Sequence, residues 1–264
     1  MTTRRIYCAI LCAVLLFPAL CLSADYTYYI PYFARDASHY TSVALRNVHA
    51  NESASVAVKA YTPAGTLLTT LTQSLAPKGQ WAAVLNVGEE GWILVESNRP
   101  LAGLVWVGVL DGSQPLYMAD VALISSKSTQ LLIPHVAEDG WWKTRAFICN
   151  PNPTATDATL RYLAADGAEG SEDVYALSAM GSRQIDLGDL PVACSNGSVE
   201  ISADQPLAAF ALYYDTDSVG GNCYAGISAV APDGGFYAAA AGQYHTAAIR
   251  NDGSLWAWGF NDYG

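Results

Sequence analysis

The sequence predicts an all-β protein whose body consists of two tandem β-sandwich modules of the immunoglobulin-like kind. Short apolar runs recur along the chain, several of them alternate apolar and polar residues, and Gly, Pro, Asn or Asp separates one run from the next. No stretch shows the apolar period of a helix. Short strands at regular spacing are typical of sandwiches. A chain of 264 residues with 52% hydrophobic residues is long enough to bury two cores.

The second module is recognisable as a repeat of the first. Ile133-Pro134-His135-Val136-Ala137 repeats Ile30-Pro31-Tyr32-Phe33-Ala34, and Asn150 follows it at the same distance as Asn47 follows the first copy. Repetition at a fixed offset indicates one structural unit used twice. The predicted modules cover 25–124 and 130–232, with the polar run 125–129 between them.

Each apolar run is taken as one strand, bounded by the turn residues on either side. An aromatic segment over 26–33 opens the first module. The strands predicted after it are 40–47, 54–61, 79–85, 92–96, 101–109 and 117–123. The second module repeats the order with strands at 144–150, 158–163, 181–187, 198–202, 207–214 and 224–230.

Residues 1–24 have the three parts of a secretory signal peptide. Arg4 and Arg5 precede an apolar run, and Ser23-Ala24 supplies the small residues before a cleavage site. We expect cleavage after Ala24 and a secreted, periplasmic or cell-surface protein with no membrane span after cleavage. An uncleaved anchor is the first alternative, although the run is short and Pro18 interrupts it. A lipidated Cys21 is the second.

Three cysteines follow the leader: Cys149, Cys194 and Cys223. An oxidising compartment permits one bridge, and Cys194 with Cys223 is the preferred pair because both lie at expected loop or strand-end positions. Cys149 lies within an apolar run, where a free thiol behaves as a small apolar side chain. The absence of a Cys-x-x-Cys spacing leaves a zinc or redox site without support.

The sequence shows no catalytic constellation, and we expect no enzyme activity, cofactor or metal. It contains neither a Gly-x-Ser-x-Gly elbow nor a His-Glu-x-x-His motif. His135 takes the place of Tyr32 in the repeat, which favours a structural role for that ring. The net charge of −11 disfavours nucleic acid and anionic membranes as partners.

Five tryptophans are candidates for core or ligand contact. Trp81, Trp92 and Trp106 fall within predicted strands and are expected in the core. Trp141 and Trp142 are adjacent at a strand entry, where one of two neighbouring side chains must face outward. They are the candidate contacts for a glycan, since aromatic rings stack on sugar faces.

The segment 236–264 differs from both modules. Its pattern predicts a hairpin with strands at 246–250 and 254–258 and a turn at 251–253. The positions that carry a repeat motif are Gly242, His245, Ala248, Asp252, Gly253, Trp258, Gly259, Asn261 and Gly264.

This segment resembles a single repeat of the regulator of chromosome condensation family. The resemblance implies a blade of a β-propeller and a platform for protein contacts; it also gives the residues above structural roles. The exchange-factor activity of one eukaryotic branch is not implied. A single blade cannot bury its own faces, so we expect this chain to be the N-terminal part of a longer repeat protein.

The preceding modules are similar to tandem exported bacterial β-sandwich modules of unassigned function. The expected function is therefore that of an exported, non-enzymatic protein-interaction scaffold with an unidentified protein partner. The alternative is an accessory substrate- or glycan-binding region of an exported enzyme whose catalytic part lies elsewhere.

Overall fold

The computed structural model describes residues 24–112, 114–138, 142–189, 196–215, 222–231, 236–241, 245–250 and 255–259. They form strands and no α-helix, so the all-β prediction is confirmed. A 3₁₀ turn at Leu187–Asp189 follows β13 in sequence. None of the described residues forms a helix with the length and hydropathy of a membrane span.

The strands fall into three groups along the chain. The first half contains β1 (Tyr26–Ala34), β2 (His39–Asn47), β3 (Ala54–Tyr61), β4 (Leu67–Leu75), β5 (Gln80–Val84), β6 (Glu90–Ser97), β7 (Leu101–Asp111) and β8 (Gln114–Ala122). The second half contains β9 (Ser128–Val136), β10 (Trp142–Cys149), β11 (Thr156–Leu163), β12 (Glu169–Leu177), β13 (Ser182–Asp186), β14 (Gly197–Asp215) and β15 (Asn222–Ser228). The C-terminal group contains β16 (Phe236–Ala241), β17 (His245–Arg250) and β18 (Leu255–Gly259).

The first half folds into two four-stranded antiparallel sheets. One has the strand order β1-β6-β3-β4 and the other the order β5-β2-β7-β8. Their facing side chains form one apolar cluster, in which Trp92 from β6 and Leu45 from β2 are fully buried. The two sheets therefore pack face to face as in a β-sandwich.

The second half repeats this strand order, with one long strand in place of two. The first part of β14 pairs with β9 and β11, and β11 pairs with β12, which reproduces β1-β6-β3-β4. The last part of β14 pairs with β10 and β15, and β10 pairs with β13, which reproduces β5-β2-β7-β8. The strand β14 thus corresponds to β6 and β7 joined, and it crosses from one sheet to the other.

The repeated asparagines explain part of the sequence repeat. Asn47 is fully buried, and its amide nitrogen donates to the carbonyls of Glu52, Leu75 and Ala76 at 2.7, 3.2 and 3.1 Å. Asn150 is also fully buried and donates in the same way. Each amide satisfies carbonyls that the strand ladders leave unpaired, which is the condition for burying polar groups.

A pair of buried threonines is repeated in the same manner. Thr41 accepts a hydrogen bond from the Ala34 amide at 3.0 Å and donates to the Ala34 carbonyl at 3.2 Å. Thr144 makes the same two bonds with Ala137, at 2.8 and 3.0 Å. Each hydroxyl therefore closes the end of the first strand of its half onto the next strand.

Several expectations about individual elements were wrong. The strands β4 and β12 were not predicted at all, and 198–202 and 207–214 belong to one strand, β14. Ser128 and Thr129, expected in a polar break, belong to β9. Trp106, expected in the core, is 36% exposed, whereas Trp92 is buried as expected.

The C-terminal group forms a three-stranded antiparallel sheet in the order β16-β17-β18. His245 is registered opposite Gly259, and Thr246 opposite Trp258. The predicted hairpin between these two strands is therefore present, and its turn at 251–253 lies outside the described residues.

Candidate functional site

The junction between the two halves is apolar, because the sheet containing β10 and β14 is buried on both faces. Along β10, Ala146 and Ile148 join the core of the second half, while Phe147 and Cys149 join the core of the first half. The strand β14 alternates in the same way, and Phe210 faces the first half. One face of this sheet therefore completes the core of the first half.

Aromatic rings pack against one another at this junction. The Phe147 ring lies 4.2 Å from the Tyr32 ring of β1 and 4.9 Å from the Phe210 ring, measured between centroids. Offset and tilted ring pairs at such distances stabilise by about 0.5–1.5 kcal/mol beyond the burial of their area. The Cys149 thiol is free and buried, and burial raises its pKa, so it remains a neutral thiol within the core.

Hydrogen bonds also join the two halves. The Trp92 indole nitrogen donates to the Met180 carbonyl at 2.7 Å, and the Ser182 amide donates to the Pro63 carbonyl at 2.9 Å. The Gln184 amide nitrogen donates to Glu90 at 2.8 Å. The loop before β13 is therefore fixed to the first half by backbone as well as side-chain contacts.

A cavity of about 180 Å³ opens at one edge of this junction. We call it the junction cavity; its lining includes Tyr32, His39, Tyr40, Arg145, Phe147 and Tyr214. It is smaller than the roughly 300–1,000 Å³ of most sites for drug-sized ligands. Its size and aromatic lining suit a single sugar ring or one side chain of a partner rather than a large cofactor.

The charged groups beside the junction cavity neutralise each other. The Arg145 guanidinium donates to both Asp186 oxygens, at 2.6 and 3.1 Å, and the Tyr214 hydroxyl donates to the first of these oxygens at 2.9 Å. Partial burial alone raises the pKa of Asp186, but the hydrogen bonds from Arg145 and Tyr214 outweigh this effect and hold the pKa below its ordinary value. Asp186 is therefore ionised at neutral pH.

Tyr214 is held in its protonated form. Burial raises its pKa to about 12, and the Arg145 guanidinium lies 5.0 Å from the centre of its ring. A tyrosine with this pKa and a carboxylate that is already paired are both unsuited to proton transfer at neutral pH. The cavity can therefore hold a neutral polar ligand, and it shows no general acid or base among these groups.

His135 is the counterpart of Tyr32 and has a structural environment. Its ring lies 5.9 Å from the Tyr213 ring, and its carbonyl accepts a hydrogen bond from the Tyr213 hydroxyl at 2.8 Å. Burial lowers the pKa of His135, which favours the neutral ring at physiological pH. His39 is the first residue of β2, and its Nδ1 lies 3.0 Å from a carboxylate oxygen of Asp36.

The residues predicted to contact a ligand or to form a bridge are only partly described. Trp142 is half-buried at the start of β10 and registered opposite Asp215, while Trp141 lies outside the described residues. Cys194 and the side chain of Cys223 also lie outside them, so the predicted disulfide stays a prediction. Of the repeat-motif residues, His245, Trp258 and Gly259 lie on β17 and β18, and Gly242, Asp252, Gly253 and Asn261 lie outside the described residues.

Sequence reasoning missed the residues of the junction cavity. One pattern in the sequence does indicate the junction: residues 146–149 of β10 are apolar at consecutive positions, and a strand of this kind is buried on both faces. That signal identifies the covered sheet, but it does not identify Tyr40 or Arg145. These two side chains line one cavity because the two halves pack together.

Comparisons with known proteins assign only the C-terminal segment. No curated protein matches the chain. Among solved structures, β-glucuronidase 2 of Bacteroides uniformis, covalently bound to cyclophellitol-6-carboxylate aziridine, is 12% identical with a TM-score of 0.17 over 78% of this chain. This chain spans 26% of that one, and a likeness at this TM-score carries no argument. Residues 237–264 match the regulator of chromosome condensation (RCC1) repeat, so the segment identified from its motif is a repeat of this kind.

Proposed function

We propose that this chain is an exported, non-enzymatic protein-interaction scaffold, in which two sandwich modules carry a propeller-type repeat region. The observation that supports this proposal most directly is the apolar junction at Phe147 and Phe210. Domains joined by small polar contacts move relative to one another, whereas a large apolar interface holds them in one arrangement. A stiff pair of sandwiches is suited to presenting binding surfaces at a fixed separation.

The chemistry of the described residues agrees with a binding role. Arg145 and Asp186 neutralise each other, and the described residues contain no group of three or more His, Cys, Asp or Glu placed to hold a metal ion. The repeat at 237–264 supports the same reading, because repeat architectures present extended surfaces to partners.

Site-specific photo-crosslinking in cells that export the chain tests this proposal. A benzophenone amino acid replaces Leu67 or Val174, which are 49% and 60% exposed on edge strands of the two halves. We expect discrete adducts with other exported proteins, on a chain whose N-terminus is Asp25. Retention of the chain in the cytoplasm, or crosslinking to no protein from either position, would contradict the proposal.

The junction cavity favours a second candidate, an accessory glycan-binding region. Tyr32, Tyr40 and Tyr214 line it, and such rings can stack on a sugar while their hydroxyls bind its hydroxyl groups. Calorimetric titration with a panel of soluble oligosaccharides tests this candidate. It predicts binding that Tyr40→Ala abolishes without lowering the melting temperature, whereas the matched Tyr175→Ala on β12 leaves binding unchanged.

Either of two results would reject this second candidate. The first is that no oligosaccharide binds the unaltered chain. The second is that Tyr175→Ala weakens binding as much as Tyr40→Ala does, since Tyr175 does not line the junction cavity.

A further inference from the structure

The sheet β5-β2-β7-β8 has an apolar outer face that the described residues leave uncovered. Val84, Trp106 and Met118 are 47%, 36% and 50% exposed on it. The same face carries the small side chains of Ala44, Ala82 and Ala102 and half-buried Leu104, and Ser42 lies between Val84 and Trp106. We call these residues, with Arg46 and Asp120, the outer face. Large apolar side chains exposed together on one face of a sheet mark an interaction surface.

The equivalent face of the second half is covered at its centre. In the first half, Ala44 is registered opposite Leu104; in the second half, Phe147 is registered opposite Phe210 at the same place in the sheet. Phe147 and Phe210 are buried against the first half. The repeat therefore uses this face for packing against a sandwich, and in the first half that face has no described occupant.

We propose that a second copy of this chain covers the outer face, as a symmetric dimer formed face to face. The inference goes beyond the proposed function, and it stands whether or not the chain has other partners. A closed two-copy assembly requires a surface that is complementary to itself: where a residue of one copy contacts a second residue of the other copy, the reverse contact also forms.

The register of the strands supplies this complementarity. Leu104 lies midway between Arg46 and Asp120: Arg46 is one strand and one row away on the β2 side, and Asp120 is one strand and one row away on the β8 side. A twofold axis that lies parallel to the sheet, passes over Leu104 and runs perpendicular to the line joining Arg46 and Asp120 brings Arg46 opposite Asp120 of the second copy. The same axis brings the large Trp106 ring close to the small Ala44.

The charges on this face also favour self-association. The chain carries a net charge of −11, so two copies repel each other through most of their surfaces. On the outer face, however, Arg46 and Asp120 cancel, and neither has an ion partner among the described residues. The symmetric arrangement gives each of these residues an opposite charge on the other copy, so two Arg46–Asp120 pairs form across the interface.

Sedimentation equilibrium of the full chain over a concentration series tests the dimer. We expect the unaltered chain to sediment with twice the monomer mass and Trp106→Arg to sediment as a monomer. Val174→Arg is the matched control, because it places the same charge at an exposed apolar position on β12 and leaves the dimer intact. Far-ultraviolet circular dichroism spectra that match the spectrum of the unaltered chain show that both variants are folded.

Charge reversal distinguishes this symmetric pairing from other modes of association. Arg46→Asp and Asp120→Arg each weaken dimerisation by about tenfold or more, because each places like charges opposite one another. Combined in one chain, the two changes restore it. The proposal is overturned by a chain that is monomeric at every concentration, by masses that grow beyond the dimer, by association that survives Trp106→Arg, or by a double variant that stays monomeric.

Discussion

At the scale of single residues, buried hydrogen bonds fix the strand ends and aromatic rings join the two halves. Asn47 and Asn150 satisfy loop carbonyls in equivalent places, which explains why the same residue appears in both copies. Phe147 and Phe210 have no aromatic counterparts in the first half, where Ala44 and Leu104 take their places. The repeat is thus identical where it maintains the fold, and it differs where one half contacts the other.

Phe210→Ala is expected to destabilise the whole chain. The Phe210 ring is fully buried between Phe147 and the core of the first half, so its removal leaves a cavity that the neighbouring strands cannot close. Truncations of this kind cost about 3–5 kcal/mol. Guanidinium unfolding measures the loss. Tyr26→Ala, at a 40% exposed position on β1, is the control and should cost far less.

The pair of Arg145 and Asp186 predicts a pH dependence of stability. Because the pKa of Asp186 is lower in the folded chain than its ordinary 3.8, the pair stabilises the fold above that value and loses this effect as the pH falls through the folded-state pKa. The melting temperature of Asp186→Asn should therefore lie below that of the unaltered chain at neutral pH. The difference should shrink below pH 3.8; a difference that grows in acid would contradict this assignment.

The position of Trp106 shows why residue type alone did not place every side chain. Trp92 and Trp106 both lie in apolar strand runs, but they face opposite ways relative to the core of the first half. A strand that is apolar on both faces gives no alternation from which the inner face can be chosen. Only the packing of neighbouring strands identifies Trp106 as the exposed ring.

At the scale of elements, central strands and edge strands differ in what the sequence reveals. The strands β3 and β11 show apolar residues at alternate positions and were predicted at nearly their observed bounds. The edge strands β4 and β12 are largely exposed, so their sequences, Leu67–Leu75 and Glu169–Leu177, have polar residues on both faces. Backbone hydrogen bonds to one neighbouring strand hold these edge strands in place, and such bonds do not require alternating apolar residues in the sequence.

The same contrast predicts the effect of matched leucine truncations. Leu160 in β11 is fully buried, and Leu67 in the edge strand β4 is 49% exposed. Leu160→Ala should cost about 2–5 kcal/mol of unfolding free energy, whereas Leu67→Ala should cost about 0.5 kcal/mol or less. Guanidinium titration of both variants measures the difference. Equal losses would mean that β4 contributes as much to the core as a central strand.

The long strand β14 was predicted as two strands for a physical reason. The predicted strands 198–202 and 207–214 leave 203–206 between them as a turn, and Pro206 lacks the amide that a central ladder needs. In the structure, the pairing of β14 with β9 shifts its register between Ser202 and Leu207. Pro206 therefore lies at an irregularity, where the chain passes from one sheet to the other without a break.

At the scale of the whole molecule, the two halves share the core of the first half, because one sheet of the second half completes it, while the second half also has a core of its own. The sequence repeat predicted two similar units, and the strand orders of the two halves agree with one another. The sequence could not show that Phe147, Cys149 and Phe210 complete the core of the preceding unit. That arrangement depends on how the two halves pack together, and comparing the sequences of the two repeats does not reveal this packing.

Hydrogen exchange followed across a guanidinium series tests the shared core most directly. Peptides covering Ala54–Tyr61 report on the first half, and peptides covering Thr156–Leu163 report on the second. Because Phe147 and Phe210 belong to the core of the first half, we expect both peptides to lose protection at the same denaturant concentration. Two separate midpoints would show that the halves unfold independently, and would contradict a common core.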